Sequence, residues 1–135
     1  MDQKKLTVPA LQDPIGMHVI LDLYDCDKGI LDDLERIEQI LTNSAKIANS
    51  MVLDKHFRKF NPQGVTGVVV VSESHISIHT WPEYGYAAVD VYTCGSHTLP
   101  VKASEYIIRE LKCKRPTITK IDRGFLVHEG GDKKQ

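Results

Sequence analysis

Residues 65–94 read VTGVVVVSESHISIHTWPEYGYAAVDVYTC, and their patterning decides the fold. VTGVVVV (65–71) and HISIHTW (75–81) are β-rich runs separated only by Ser72, Glu73 and Ser74. Pro82-Glu83-Tyr84-Gly85 is a turn signal that leads into a third run, YAAVDVYTC (86–94). Branched and aromatic residues suit a pleated, half-buried surface, and Gly and Pro punctuate such runs. Upstream, Asn61-Pro62-Gln63-Gly64 marks another turn, preceded by a strand around 51–59.

Further out, MHVILDLY (17–24) sets Met17, Val19, Leu21 and Leu23 against His18, Ile20, Asp22 and Tyr24. That alternation predicts a strand with one fully apolar face. Ile30, Leu31, Leu34, Ile37, Ile40, Leu41 and Ala45 recur at helical spacing. Asp27 suits the cap of this helix, and Asp32, Asp33 and Glu35 suit its positive start; its end is expected near Asn49. Thr98 is the expected cap of a second helix, with Pro100 in its first turn and a buried stripe of Val101, Tyr106, Ile107, Ile108 and Leu111. PTITKI (116–121) is the last strand.

The order is β-α-β-β-β-β-α-β. Strands cluster in the middle and each half contains one helix. This predicts an α+β domain, an antiparallel sheet with two helices packed on one face. The other face needs a partner, so a sandwich completed by dimerisation is expected. Residues 15–128 are read as one domain. Residues 1–14, with two prolines and little periodicity, are read as a flexible N-terminal arm, and 129–135 as a flexible tail.

With 135 residues, 41% hydrophobic and 26% charged, the chain has the balance of one water-soluble core. A net charge of −1 gives no basic surplus for nucleic acid. No apolar run reaches a membrane span, and MDQKKLTVPALQDP lacks the apolar core of a secretion signal. Cys26, Cys94 and Cys113, an odd number without a CxxC spacing, suggest reduced thiols and a cytoplasmic location.

Ser72, Glu73, Ser74, His75, Ser77, His79, Thr80 and Glu83 crowd polar chemistry into a β-rich region. One reading is a half-exposed strand whose polar face meets water. A zinc site is disfavoured, because His75 and His79 on a strand would stand roughly 13 Å apart. No metal is therefore expected. Ser74, His79 and Asp90 could make a hydrolase triad, but no GxSxG elbow accompanies them. A Cys94–His nucleophilic pair is equally without supporting context.

ESHISIHTWPEYGYAAVDVYTCG (73–95) resembles the processing and active-site block of the short prokaryotic S-adenosylmethionine decarboxylases, which depend on a pyruvoyl group. PQGVTGVVVVSE before it continues the resemblance, and GMHVILDLYDCD resembles the family's first strand. The likeness covers roughly residues 15–125.

The resemblance implies autocatalytic cleavage between Glu73 and Ser74. Ser74 would attack the Glu73 carbonyl, and elimination from the resulting ester would leave a covalently bound pyruvoyl cofactor derived from Ser74. His79 matches the family's processing base, and Thr66 its assisting hydroxyl. On a regular strand, however, Ser74 and His79 point to opposite faces, so the resemblance calls for an irregular backbone or a Ser74 outside the strand. The mature ketone would form a Schiff base with S-adenosylmethionine, yielding the aminopropyl donor of spermidine biosynthesis after decarboxylation. Cys94 matches the proton donor to the substrate carbon, although a small buried hydrophobe is the alternative reading. Glu83 matches the ribose-binding glutamate and Phe60 the adenine-stacking position; a turn residue and a core aromatic are their alternatives.

Asp22 departs from the glutamate common at that position in the family. The family's fold also includes pyruvoyl enzymes that decarboxylate arginine or ornithine, and an uncut partner subunit without activity is a further alternative. The family implies a homodimer of cleaved chains, with active sites near the contact.

Overall fold

A computed structural model gives the fold and describes residues 13–126. Among these, the strands are β1 (Gly16–Tyr24), β2 (Val52–Lys59), β3 (Val65–Val71), β4 (Ser74–Trp81), β5 (Tyr86–Cys94) and β6 (Arg115–Arg123). They form one sheet in the order β2-β3-β4-β5-β1-β6, with every pairing antiparallel. The helices are α1 (Lys28–Leu31), α2 (Leu34–Ile47) and α3 (Pro100–Glu110), and a 3-10 turn covers Pro82–Tyr84. The expected arm and tail fall almost entirely outside the described residues.

Alternation along the strands separates the sheet's faces. Val19, Leu21 and Leu23 of β1, Val65, Val69 and Val71 of β3, Ile76 and Ile78 of β4, and Ala87, Val89 and Val91 of β5 are buried. They join Leu31, Ile37, Ile40, Leu41 and Ala45 from the first two helices, and Ala103 and Ile107 from α3, in one core. Each fully buried branched aliphatic side chain contributes about 1.5–3 kcal/mol relative to exposure. This is what holds the helices on one face.

The single helix expected between Asp27 and Asn49 is in fact two. Asp27 Oδ1 accepts from the Ile30 amide at 3.0 Å and caps α1. Asp33 Oδ1 accepts from the Arg36 amide at 3.1 Å and caps α2. The intervening Asp32 faces the β2–β3 turn instead, accepting from the Gly64 amide at 2.8 Å and pairing with Lys59 Nζ at 3.1 Å. Two adjacent carboxylates with different duties thus interrupt the helical run. At the far end, Asn49 is left-handed (φ 64). The Asn49 amide bonds to the Lys46 carbonyl and the Ser50 amide to Ala45, a double closure that stops α2 where expected.

Thr98 is not the cap of the last helix. Leu99 occupies that position and makes no side-chain capping bond. The Thr98 hydroxyl is turned back toward β5, 2.9 Å from the Gly95 carbonyl and 3.0 Å from the Thr93 hydroxyl. Pro100 does start α3. The expected stripe holds at Ile107 and Leu111, which are buried, and at Tyr106 and Ile108, which pack against the core; it differs at the helix start. Ala103, Ser104 and Ile107 are buried, while Val101 is exposed. The hydroxyl that lets Ser104 be buried bonds to the Pro100 carbonyl at 2.8 Å.

No described helix is long and apolar enough to cross a membrane. The sheet face opposite the helices carries a polar and aromatic network. His18 Nε2 lies 2.9 Å from Asp90 Oδ1. Tyr86 stacks on Tyr24 at 5.2 Å between ring centres and lies 5.3 Å from Trp81.

Candidate active site

The candidate residues occupy the two ends of β4. At its start, β3 and β4 are joined by two residues, Ser72 and Glu73, with Val71 paired to Ser74. Glu73 is left-handed (φ 57). For a residue with a side chain that conformation costs about 1–2 kcal/mol. The strained residue is Glu73, immediately before Ser74. Across the sheet, the β4–β5 register pairs His75 with Tyr92, which carries Cys94 to the level of the turn. The Cys94 thiol donates to the Glu73 carbonyl at 3.2 Å. Met51, Ser72, Glu73, Cys94 and His97 line a cavity of about 490 Å³ there.

Two residues at this end gave no signal in the sequence. Gly16, opposite Cys94 in the β1–β5 register, leaves room for its surroundings: a Cβ there would lie 2.8 Å from the Thr93 carbonyl and 3.0 Å from the Tyr92 hydroxyl. The Tyr92 ring is flanked by His18 at 5.8 Å, His75 at 5.9 Å and the Arg123 guanidinium at 5.4 Å. Hydrogen bonding with the neighbouring Cys94 thiol holds the Tyr92 phenol above its ordinary pKa.

At the other end of β4, Thr66 and His79 are cross-strand partners. Thr66 Oγ1 lies 3.1 Å from His79 Nδ1. Phe60, Thr66, His79, Trp81 and Glu83 line a second cavity of about 260 Å³. Phe60 and Trp81 are both substantially exposed, so neither ring belongs to the core. Glu83 is held on the 3-10 turn, which Pro82 starts and the left-handed Gly85 ends.

Within one chain these two groups do not meet. β4 runs without a register shift from Ser74 to His79, neither bulged nor preceded by an outlying Ser74. Five residues of strand separate the two by roughly 16 Å. Their opposite parity also persists, since Ser74 has the parity of the buried Ile76 and Ile78 while His79 has the other and is exposed.

Asp22 lies on the open face, away from the Glu73–Ser74 turn. Its carboxylate accepts from the Tyr86 hydroxyl. Burial, reinforced by that bond, pushes the Tyr86 phenol up to about 12. Among the described residues, no group of three or more His, Cys, Asp or Glu side chains could hold a metal ion.

A single antiparallel sheet backed by helices defines an α+β chain, with a left-handed turn residue whose carbonyl accepts from a thiol at its candidate site. The family model for S-adenosylmethionine decarboxylase matches residues 17–124. An S-adenosylmethionine decarboxylase proenzyme from Caldanaerobacter subterraneus subsp. tengcongensis is 53% identical over 110 residues, covering 82% of this chain and 89% of the relative. One from Thermodesulfovibrio yellowstonii is 48% identical over 114 residues, covering 84% of each. The crystal structure of the adenosylmethionine decarboxylase from Aquifex aeolicus VF5 superposes with a TM-score of 0.82 at 41% identity, covering 90% of this chain and all of that one. The chain belongs to the S-adenosylmethionine decarboxylase family, a family of enzymes.

Proposed function

We propose that this chain is a pyruvoyl-dependent S-adenosylmethionine decarboxylase that cuts its own backbone between Glu73 and Ser74. The observation that carries this reading is the turn itself. Glu73 is left-handed, and its carbonyl accepts from the Cys94 thiol. A donor on that oxygen favours negative charge developing there when the Ser74 hydroxyl adds to the carbonyl carbon. Collapse of that adduct breaks the C–N bond and leaves an ester. Removal of the Ser74 α-proton then expels the Glu73 carboxylate, leaving a dehydroalanine that hydrolyses to a ketone with loss of ammonia. The residues at the turn fit a pyruvoyl group formed in place, because Glu73, the residue before Ser74, lines the cavity together with Cys94.

The proton-removing base is His79, and Thr66 assists the acyl shift. Both act from a second copy of the chain, since a base roughly 16 Å along a regular strand is out of reach. A homodimer that brings the open sheet faces together supplies the end of β4 carrying Thr66, His79, Glu83 and Phe60 to the Ser74 end of its partner. The pyruvoyl carbonyl supplies an electron sink for decarboxylation of an amino acid. Glu83 accepts from vicinal ribose hydroxyls, and Phe60 offers a ring to the adenine. Relatives named S-adenosylmethionine decarboxylase proenzyme favour the nucleoside substrate over arginine or ornithine, whose distal cation a carboxylate beside two exposed rings would also suit. Cys94 delivers a proton to the substrate carbon. The product is the aminopropyl donor for spermidine, made in the cytoplasm, where the free Cys26, Cys94 and Cys113 remain reduced.

Mass spectrometry of the purified protein tests maturation. Two fragments are expected, divided between Glu73 and Ser74, with no free amine on the second. Carbon dioxide release from carboxyl-labelled substrates tests specificity. Turnover of arginine or ornithine without turnover of S-adenosylmethionine would refute the substrate assignment, and a persistently intact chain would favour an inactive partner subunit.

A further inference from the structure

The remaining two cysteines meet at the opposite end of the β1–β6 ladder from the Gly16–Arg123 pair. The register pairs Gly16 with Arg123 and continues without a shift to Tyr24 with Arg115. Carried two residues further, the same register sets Cys26 opposite Cys113. The paired ladder itself ends at Tyr24 and Arg115, but the two thiols lie within hydrogen-bonding contact of each other, a proximity from which a disulfide can form. The chain leaves the ladder at Asp25, which is left-handed, but the two segments stay together. The Asp27 amide bonds to the Leu111 carbonyl at 3.1 Å. Arg115 Nε bonds to Asp25 at 2.6 Å. Both thiols lie over the same stretch of backbone: Cys26 Sγ donates to the Leu23 carbonyl at 3.5 Å and Cys113 Sγ to the adjacent Tyr24 carbonyl at 3.1 Å.

We propose that Cys26 and Cys113 are an oxidisable thiol pair whose disulfide closes the end of the β1–β6 ladder. On the reading that the chain cuts itself between Glu73 and Ser74, which this consequence alone requires, the bond also joins the two fragments covalently. Cys26 lies in the first and Cys113 in the second.

The two thiols have different parts. Burial, and then the neighbouring Cys113, raise the pKa of Cys26, which is only 6% exposed. Cys113 is the more accessible. Its thiolate attacks a low-molecular-weight disulfide, forming a mixed disulfide and releasing one thiolate. Cys26 then loses its proton and attacks the Cys113 sulfur, releasing the second. Two protein thiols are oxidised to one disulfide, and the small disulfide is reduced to two thiols. In a reducing cytosol the pair stays open, and it closes when the thiol pool is oxidised.

The test exposes the purified protein to oxidised glutathione and maps its peptides without reduction. The expected result is a crosslinked peptide joining Cys26 to Cys113, two hydrogens lighter than its parts. In denaturing electrophoresis the two fragments should migrate as one species without reductant and separate with it. The Cys113→Ser variant should give separate fragments in both conditions. Recovery of Cys26 and Cys113 unlinked, free or carrying only glutathione, would overturn the proposal. A chain still uncut after reduction refutes the cleavage reading instead, while the peptide map continues to decide the thiol pair.

Discussion

The two ends of β4 are built differently. The Ser74 end is a two-residue turn with a strained left-handed residue and a thiol bonded to its carbonyl. The Trp81 end is a regular cross-strand pair, Thr66 with His79, followed by a proline-started turn bearing Glu83. The first end is suited to being changed covalently, because one residue, Glu73, carries both the left-handed backbone and the carbonyl that accepts from the thiol. The second is suited to moving protons and holding a ligand, because its groups are exposed, paired and rigidly spaced. A strand cannot bring its own ends together. The comparison therefore argues for function shared between two copies.

The largest effect expected is from Ser74→Ala, which removes the attacking hydroxyl. That variant should remain a single uncut chain with no decarboxylase activity, and cleavage of it would break the assignment of the first end. Next comes a mixing experiment with Cys94→Ala and His79→Ala chains, each inactive alone. If a site takes one end from each copy, co-expression with random pairing should restore about a quarter of wild-type activity, since half the dimers are mixed and each of those has one intact site. No recovery on mixing would place both ends of a site in one chain.

Thr66→Ala should slow cleavage by about 10²-fold, the loss expected when one preorganised donor is removed, and a time course of fragment appearance measures it. The smallest effect is that of Glu83→Gln. Loss of the charge on a ribose acceptor should raise KM about tenfold through weakened charge-assisted hydrogen bonds, with cleavage unchanged. A fall in kcat at constant KM would show that Glu83 acts at the reacting carbon instead.

Much of this division could be read in the residues. The alternation of Val19, Leu21 and Leu23, and of Ile76 and Ile78, identified the face that the helices cover, because period-2 burial is a local property. The opposite parity of Ser74 and His79 was legible for the same reason. The bond from Cys94 to the Glu73 carbonyl was not, because it depends on the β4–β5 register, which links positions far apart in the chain. The split of the first helix was hidden similarly. Asp32 and Asp33 look alike in sequence, and only the approach of Gly64 and Lys59 gives them separate roles. Thr98 had the right chemistry for a cap, but the nearby Thr93 hydroxyl and Gly95 carbonyl engage it.

The strand order β2-β3-β4-β5-β1-β6 has a consequence for how a cut chain is assembled. A break after Glu73 gives a first piece with β1, β2 and β3 and a second with β4, β5 and β6. Yet β1 lies between β5 and β6. The second piece alone has a gap one strand wide, and the first has its β1 detached from its other two strands. The halves are interleaved like the fingers of two hands, and neither can complete its share of the sheet before the other is present. Continuity of the backbone through Ser72 and Glu73 is therefore an assembly tether. The proposed break must come after folding, when the tether has already done its work.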